Sequence, residues 1–183
     1  MLLDIGNGII IPILLSKIFG FEVTNSYVIF GIIFSLLPDI DFIFYKIFSK
    51  KSGDQDHTHR NILHCPIIYI LVGSFIIFIF YPALLSLFII CSVLHFIHDS
   101  IGIGWGVQWF APFNKNYYQF FYTVNKNTDK SLVYTYKPEE LEVLSEKYGD
   151  KDWFKNIYLK FHPYSFVEFI VFIISVIVFI TVK

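Results

Sequence analysis

The sequence predicts an all-α integral membrane protein, a helical bundle of about five membrane segments with a mixed interfacial or cytoplasmic insertion before the last helix. Three observations carry that prediction. Hydrophobic residues make up 55% of the 183 residues, and the mean hydropathy is +0.60. The chain holds 22 Phe and 12 Tyr, more aromatic surface than a soluble domain of this size ordinarily carries. Its apolar residues fall into five long runs separated by polar stretches. The net charge of −1 gives no sign of nucleic-acid binding.

The first run, about Ile5 to Phe19, is interrupted by Gly6, Asn7, Gly8 and Pro12. A polar turn from Glu22 to Ser26 follows. The second run spans Tyr27 to Phe44 but is cut by Pro38-Asp39-Ile40-Asp41. Lys46 to Arg60 is a polar loop with charges of both signs and two histidines. The third run, Ile62 to Tyr81, carries Pro66 in its first turns, where a missing N–H costs no helical hydrogen bond. The fourth begins at Pro82 and ends at Asp99; the fifth covers Phe166 to Val182. A spanning helix needs about 20 apolar residues. The third run meets that length and the fifth nearly does, whereas the first, second and fourth are short because polar residues intrude.

Three regions follow. Residues 1–113 form a membrane region holding the polar motifs, 114–163 an insertion, and 164–183 a C-terminal transmembrane helix. Within the insertion, Pro138 to Tyr148 (PEELEVLSEKY) reads as an amphipathic helix, with proline at its start and glutamates in its first turn. Aromatic residues from Trp105 to Tyr122 suggest a cap at the membrane–water boundary or a lid over a substrate. Cys65 and Cys91 lie inside apolar runs and read as buried thiols, not as a disulfide. The N-terminus has neither a basic region nor a small-residue cleavage site, so no removable signal peptide is expected.

Five spans place the N-terminus, the loop 45–61 and the insertion on one side of the membrane. Lys46, Lys50, Lys51 and Arg60 fall on that side with eight lysines of 100–163, against Lys17 and Lys183 on the other. The excess of positive charge makes the first side cytoplasmic. The same topology gathers Asn7, Asp39, Asp41, His57, His59, His64, His95, His98 and Asp99 at helix ends on that face.

These residue types suit a divalent ion. His95 and Asp99 are four apart and share one helical face. His95 interrupts an apolar helix, where an imidazole without a partner is costly, so a ligand role outweighs a structural hydrogen bond. Asp99 at a helix C-terminus opposes the helix dipole unless a cation compensates it. Asp39 and Asp41 cannot share a helical face, but Pro38 implies a turn from which both could reach one centre. His59 and His64 could flank a metal if a helix starts between them. Carboxylate–imidazole sets suit zinc, manganese or iron. His57 or His98 could act as general acid or base, and Arg60 could hold an anionic group bidentately.

Leu37-Pro38-Asp39-Ile40-Asp41, His59-Arg60-x-x-x-His64, and His95-x-x-x-Asp99 followed by glycines and Ala111-Pro112-Phe113 together resemble the YdjM-type membrane-bound metal-dependent hydrolases. The likeness covers residues 1–113 and not 114–163. It implies a helical membrane hydrolase with a divalent metal held by Asp39, Asp41, His59, His64, His95 and Asp99. Two positions depart from the family pattern. Its usual N-terminal histidine is missing, the nearest candidates being Asp4 and Asn7, and Gly102 stands where a threonine is usual.

The expected function is therefore a multi-pass membrane hydrolase that uses its metal site at the cytoplasmic face, on a phosphoester or lipid-like small molecule, in contact with membrane lipid. The alternatives are a protein that binds or transports a divalent metal with the same cluster, and a structural membrane protein whose site has decayed.

Overall fold

The computed structural model describes residues 1–40, 63–102, 104–123, 132–148, 150 and 152–182. Seven α-helices and a three-stranded sheet are found among them. The helices are α1 (Leu2–Phe19), α2 (Asn25–Leu36), α3 (Pro66–Phe80), α4 (Leu85–Asp99), α5 (Pro138–Tyr148), α6 (Trp153–Tyr158) and α7 (Pro163–Val182). Short 3₁₀ turns, Leu37–Asp39 and Pro82–Leu84, follow α2 and precede α4. Among the described residues, three helical stretches are long and apolar enough to cross a membrane: Leu2–Phe19, Pro82–Asp99 and Pro163–Val182. Asn25–Asp39 and Pro66–Phe80 are shorter.

The third run is thus not the full-length span its sequence suggested, since α3 has 15 residues. Proline disfavours helical backbone at the residue before it, so the helix starts at Pro66 and leaves His64 in a turn ahead of it. The first run is longer than expected: α1 begins at Leu2, takes in Asp4 in its first turn, and carries Pro12 within it.

The chain divides into two compact units. The first comprises Met1–Pro38, Ile70–His95 and Phe161–Lys183. There α1 packs against both α2 and α7. Ile9, Ile13 and Val28 form the buried centre, with Ile5, Ile32, Phe172 and Val176 against them. Glycine sets how closely α1 and α2 approach. A Cβ on Gly8 would stand 2.5 Å from the Ile32 Cα, and one on Gly31 would collide with the Gly8 carbonyl. Lipid supplies little apolar driving force between helices, so close backbone packing at small residues does much of the work. Along α7, Glu168 and Ser175 are buried two turns apart, while Phe169, Ile173 and Ile177 are exposed. That division is the pattern of a helix with one protein-facing stripe and a lipid-facing remainder.

Local signals set the helix ends. The Thr24 hydroxyl accepts the Tyr27 N–H at 3.2 Å at the start of α2. Gly20, at φ 71°, ends α1 with its N–H on the Ser16 carbonyl. Glu168 of α7 accepts the N–H groups of Leu2 and Leu3 at 3.1 and 3.4 Å, so a side chain remote in sequence caps α1.

The second unit comprises Asp39–Tyr69 and Phe96–Lys160. Its sheet runs β1 (Ile101–Gly102), β2 (Tyr117–Thr123), β3 (Val133–Tyr136), with β1 parallel and β3 antiparallel to β2. Tyr117 pairs with Tyr136 and Phe120 with Val133. The helix expected over Pro138 to Tyr148 is present as α5, and its Glu140 side chain reaches back to the Lys137 N–H at 2.9 Å. Leu141 and Leu144 of α5 pack with Trp105 and Tyr136. The aromatic run is therefore divided. Trp105 is a core residue, whereas Phe110, Phe113 and Phe121 are exposed.

Candidate metal centre

Within the second unit, three local breaks in helical structure deliver three of the expected ligands. The turn after α2 ends on Asp39, the turn ahead of α3 carries His64, and α4 ends on Asp99. The Nε2 atom of His64 lies 3.2 Å from Asp99 Oδ2 and 3.8 Å from Asp39 Oδ1. The His64 side chain is 1% exposed, Asp99 14% and Asp39 40%, so the group is closed on the histidine side and open at Asp39.

His95 stands one turn before Asp99 on the unbroken helix α4, which by itself fixes both on one face. Asp39, His64, His95 and Asp99 each offer one ligand atom, and these atoms all lie within 4.8 Å of one another.

The donor set fits a divalent ion. Ligand bonds of about 2.1 Å around a tetrahedral ion put neighbouring donor atoms roughly 3.4 Å apart. The separations at His64, 3.2 and 3.8 Å, bracket that value. Two imidazoles with two carboxylates match the preferences of zinc, manganese or iron, and not those of an oxygen-only calcium site. Cys65 adjoins His64 but is not one of the four grouped residues. Its thiol donates to Gln108 Oε1 at 3.8 Å.

Aromatic packing holds the site's frame. The Phe96 ring, fully buried, meets His64, Tyr69 and Trp109 edge-on at centroid distances of 6.3, 5.5 and 6.4 Å. Immediately after Asp99, the buried Ser100 hydroxyl donates to the Phe96 carbonyl at 2.7 Å and accepts the Trp109 indole N–H at 2.8 Å. The chain then passes through Gly102, Gly104 and Gly106, all at positive φ. Gln119, fully buried on β2, donates to the Gly102 and Gly104 carbonyls at 3.1 and 3.0 Å and accepts the Tyr136 hydroxyl at 3.3 Å. Gly102 has φ 83°, a backbone conformation in which a β-branched side chain would be strained.

In the first unit, the carboxylate of Asp4 is buried on α1, with Oδ1 3.4 Å from His95 Nδ1 and Oδ2 2.9 Å from the Met1 ammonium. Sequence reasoning named Asp4 beside Asn7 but gave it no role. Its signal was a carboxylate at the head of an apolar helix. Glu168 was missed, although one acidic residue inside the apolar run from Phe166 to Val182 is the kind of group that must find a partner.

His98 is buried on α4 but is not among the four grouped residues. His162, outside the group, caps α7: its Nδ1 accepts the Tyr164 N–H at 3.2 Å. Asp41, His57, His59 and Arg60 lie outside the described residues.

No curated protein and no solved structure matches the chain. The profile of one family, described as YdjM inner membrane protein, matches residues 5–183 and so takes in the insertion as well as the helices. With its apolar helices the chain is a membrane protein, and it belongs to the YdjM inner membrane protein family.

Proposed function

We propose that the protein is a membrane-bound metal-dependent hydrolase. The observation that carries this reading is the closely spaced group of two histidines and two aspartates, with both imidazoles buried to 1% exposure. Buried imidazoles and carboxylates in a membrane protein are expensive to maintain without a task.

His64, His95 and Asp99 would hold the ion, with Asp39 completing the set on the open side. Asp41 and His59 remain candidates for further ligands. When bound, the ion supplies Lewis acidity and lowers the pKa of a coordinated water toward neutrality. Asp39, 40% exposed, is the group through which substrate and solvent reach the site. His57 and His98 are the candidate proton carriers, and Arg60 the candidate anchor for an anionic substrate.

The excess of Lys and Arg in 45–61 and 100–163 supports a cytoplasmic position for the site. That location favours a phosphoester or lipid-like substrate. The test is hydrolysis of a phosphoester panel by detergent-purified protein. Activity should vanish with chelator, return with added zinc or manganese, and be absent in Asp99→Asn. Activity that survives full chelation would exclude the reading.

A further inference from the structure

The carboxylate of Asp4 is 1% exposed, sits on a helix with no other acidic residue, and lies 3.4 Å from the Nδ1 atom of His95. An imidazole has one nitrogen to donate with and one to bind with, and which is which follows from what its Nδ1 meets. A carboxylate beside one ring nitrogen favours a proton there and leaves the other nitrogen's lone pair for a metal.

We infer that Asp4 is a positioning residue: it holds the Nδ1–H of His95 and thereby presents Nε2 to the metal. This rests on the metal-site reading above and adds to it a residue outside the four-membered group. Deprived of this carboxylate, His95 loses both its preferred tautomer and its ring orientation, while the other ligands keep theirs. The contribution of Asp4 comes through His95 and not from a bond to the ion.

The experiment uses the full chain, purified in detergent and stripped of metal, with zinc alone as the probe. Zinc affinity is measured by chelator competition in wild type, Asp4→Asn and Asp4→Leu, with the thermal midpoint of the metal-free protein as a check on folding. Changes to groups that orient a metal-binding histidine cost about 10–100-fold in affinity. Asp4→Leu should fall in that range with unchanged zinc stoichiometry. Asp4→Asn, whose amide oxygen still accepts, should lose less.

A second readout needs no variant of Asp4. Nitrogen-15 spectra of the zinc-loaded wild type, with His95 assigned by its loss in His95→Gln, should show zinc on Nε2 and a proton on Nδ1. Zinc on Nδ1 of His95, or an Asp4→Leu affinity within about twofold of wild type, overturns the inference while leaving the metal site standing. A wild type that binds no zinc overturns the metal site itself, and this inference with it.

Discussion

His64 and Asp99 meet at 3.2 Å although one lies ahead of α3 and the other ends α4. The helix α3 starts at Pro66, and His64 lies in the turn ahead of it. His64 is the more enclosed member, at 1% exposure against 40% for Asp39.

That difference in enclosure predicts unequal consequences of mutation. His64→Ala should abolish high-affinity divalent-metal binding. Asp39→Ala, at the open side and 3.8 Å from His64 Nε2, should weaken binding but leave it measurable. Isothermal titration of the stripped variants with zinc gives the order directly; equal losses would show that Asp39 is as essential as His64.

Phe96 should matter to the site without touching an ion. Its ring backs His64 and fills the space between Tyr69 and Trp109. Removing a buried phenyl ring costs about 3–5 kcal/mol through lost packing and the cavity left behind. Phe96→Ala is expected to lower both thermal stability and metal affinity, whereas Phe113→Ala, at 87% exposure, should change neither. Paired melts and metal titrations check this.

Glu168 is expected to be a structural carboxylate. It is 1% exposed and accepts the N–H groups of Leu2 and Leu3. Glu168→Ala leaves those donors without this acceptor, at a cost of about 1–3 kcal/mol. Glu168→Gln keeps an acceptor oxygen and should cost less. Metal stoichiometry should be unchanged in both, which separates this residue from Asp99.

The approach of α1 to α2 gives a stability prediction independent of the site. Gly8→Val places a side chain 2.5 Å from the Ile32 Cα and should prevent a folded protein from accumulating. Gly20→Ala meets nothing within 4 Å, so its cost is only the φ of 71°, about 1–2 kcal/mol. Monodispersity in detergent and thermal midpoints read both.

Much of this was legible in the sequence for stated reasons. Apolar runs located α1, α4 and α7, and proline with first-turn glutamates located α5 to the residue. Pro38 signalled the turn that presents Asp39, and the spacing of His95 and Asp99 put both on one face. The sheet was not legible, because β1 has two residues and β2 lies in an aromatic run that also reads as an interfacial belt. Nor were the roles of Asp4 and Glu168. Each is one acidic residue in an apolar helix, and only tertiary packing shows that Asp4 faces His95 and that Glu168 caps α1.

Asp39, His64, His95 and Asp99 are expected to bind a divalent metal together. The most direct measurement is elemental analysis by mass spectrometry of detergent-purified wild type beside His64→Ala. Stoichiometric zinc, manganese or iron in the wild type, lost in the variant, is the predicted result. Absence of metal from both, even after reconstitution with divalent ions, would contradict it and make the buried histidines structural.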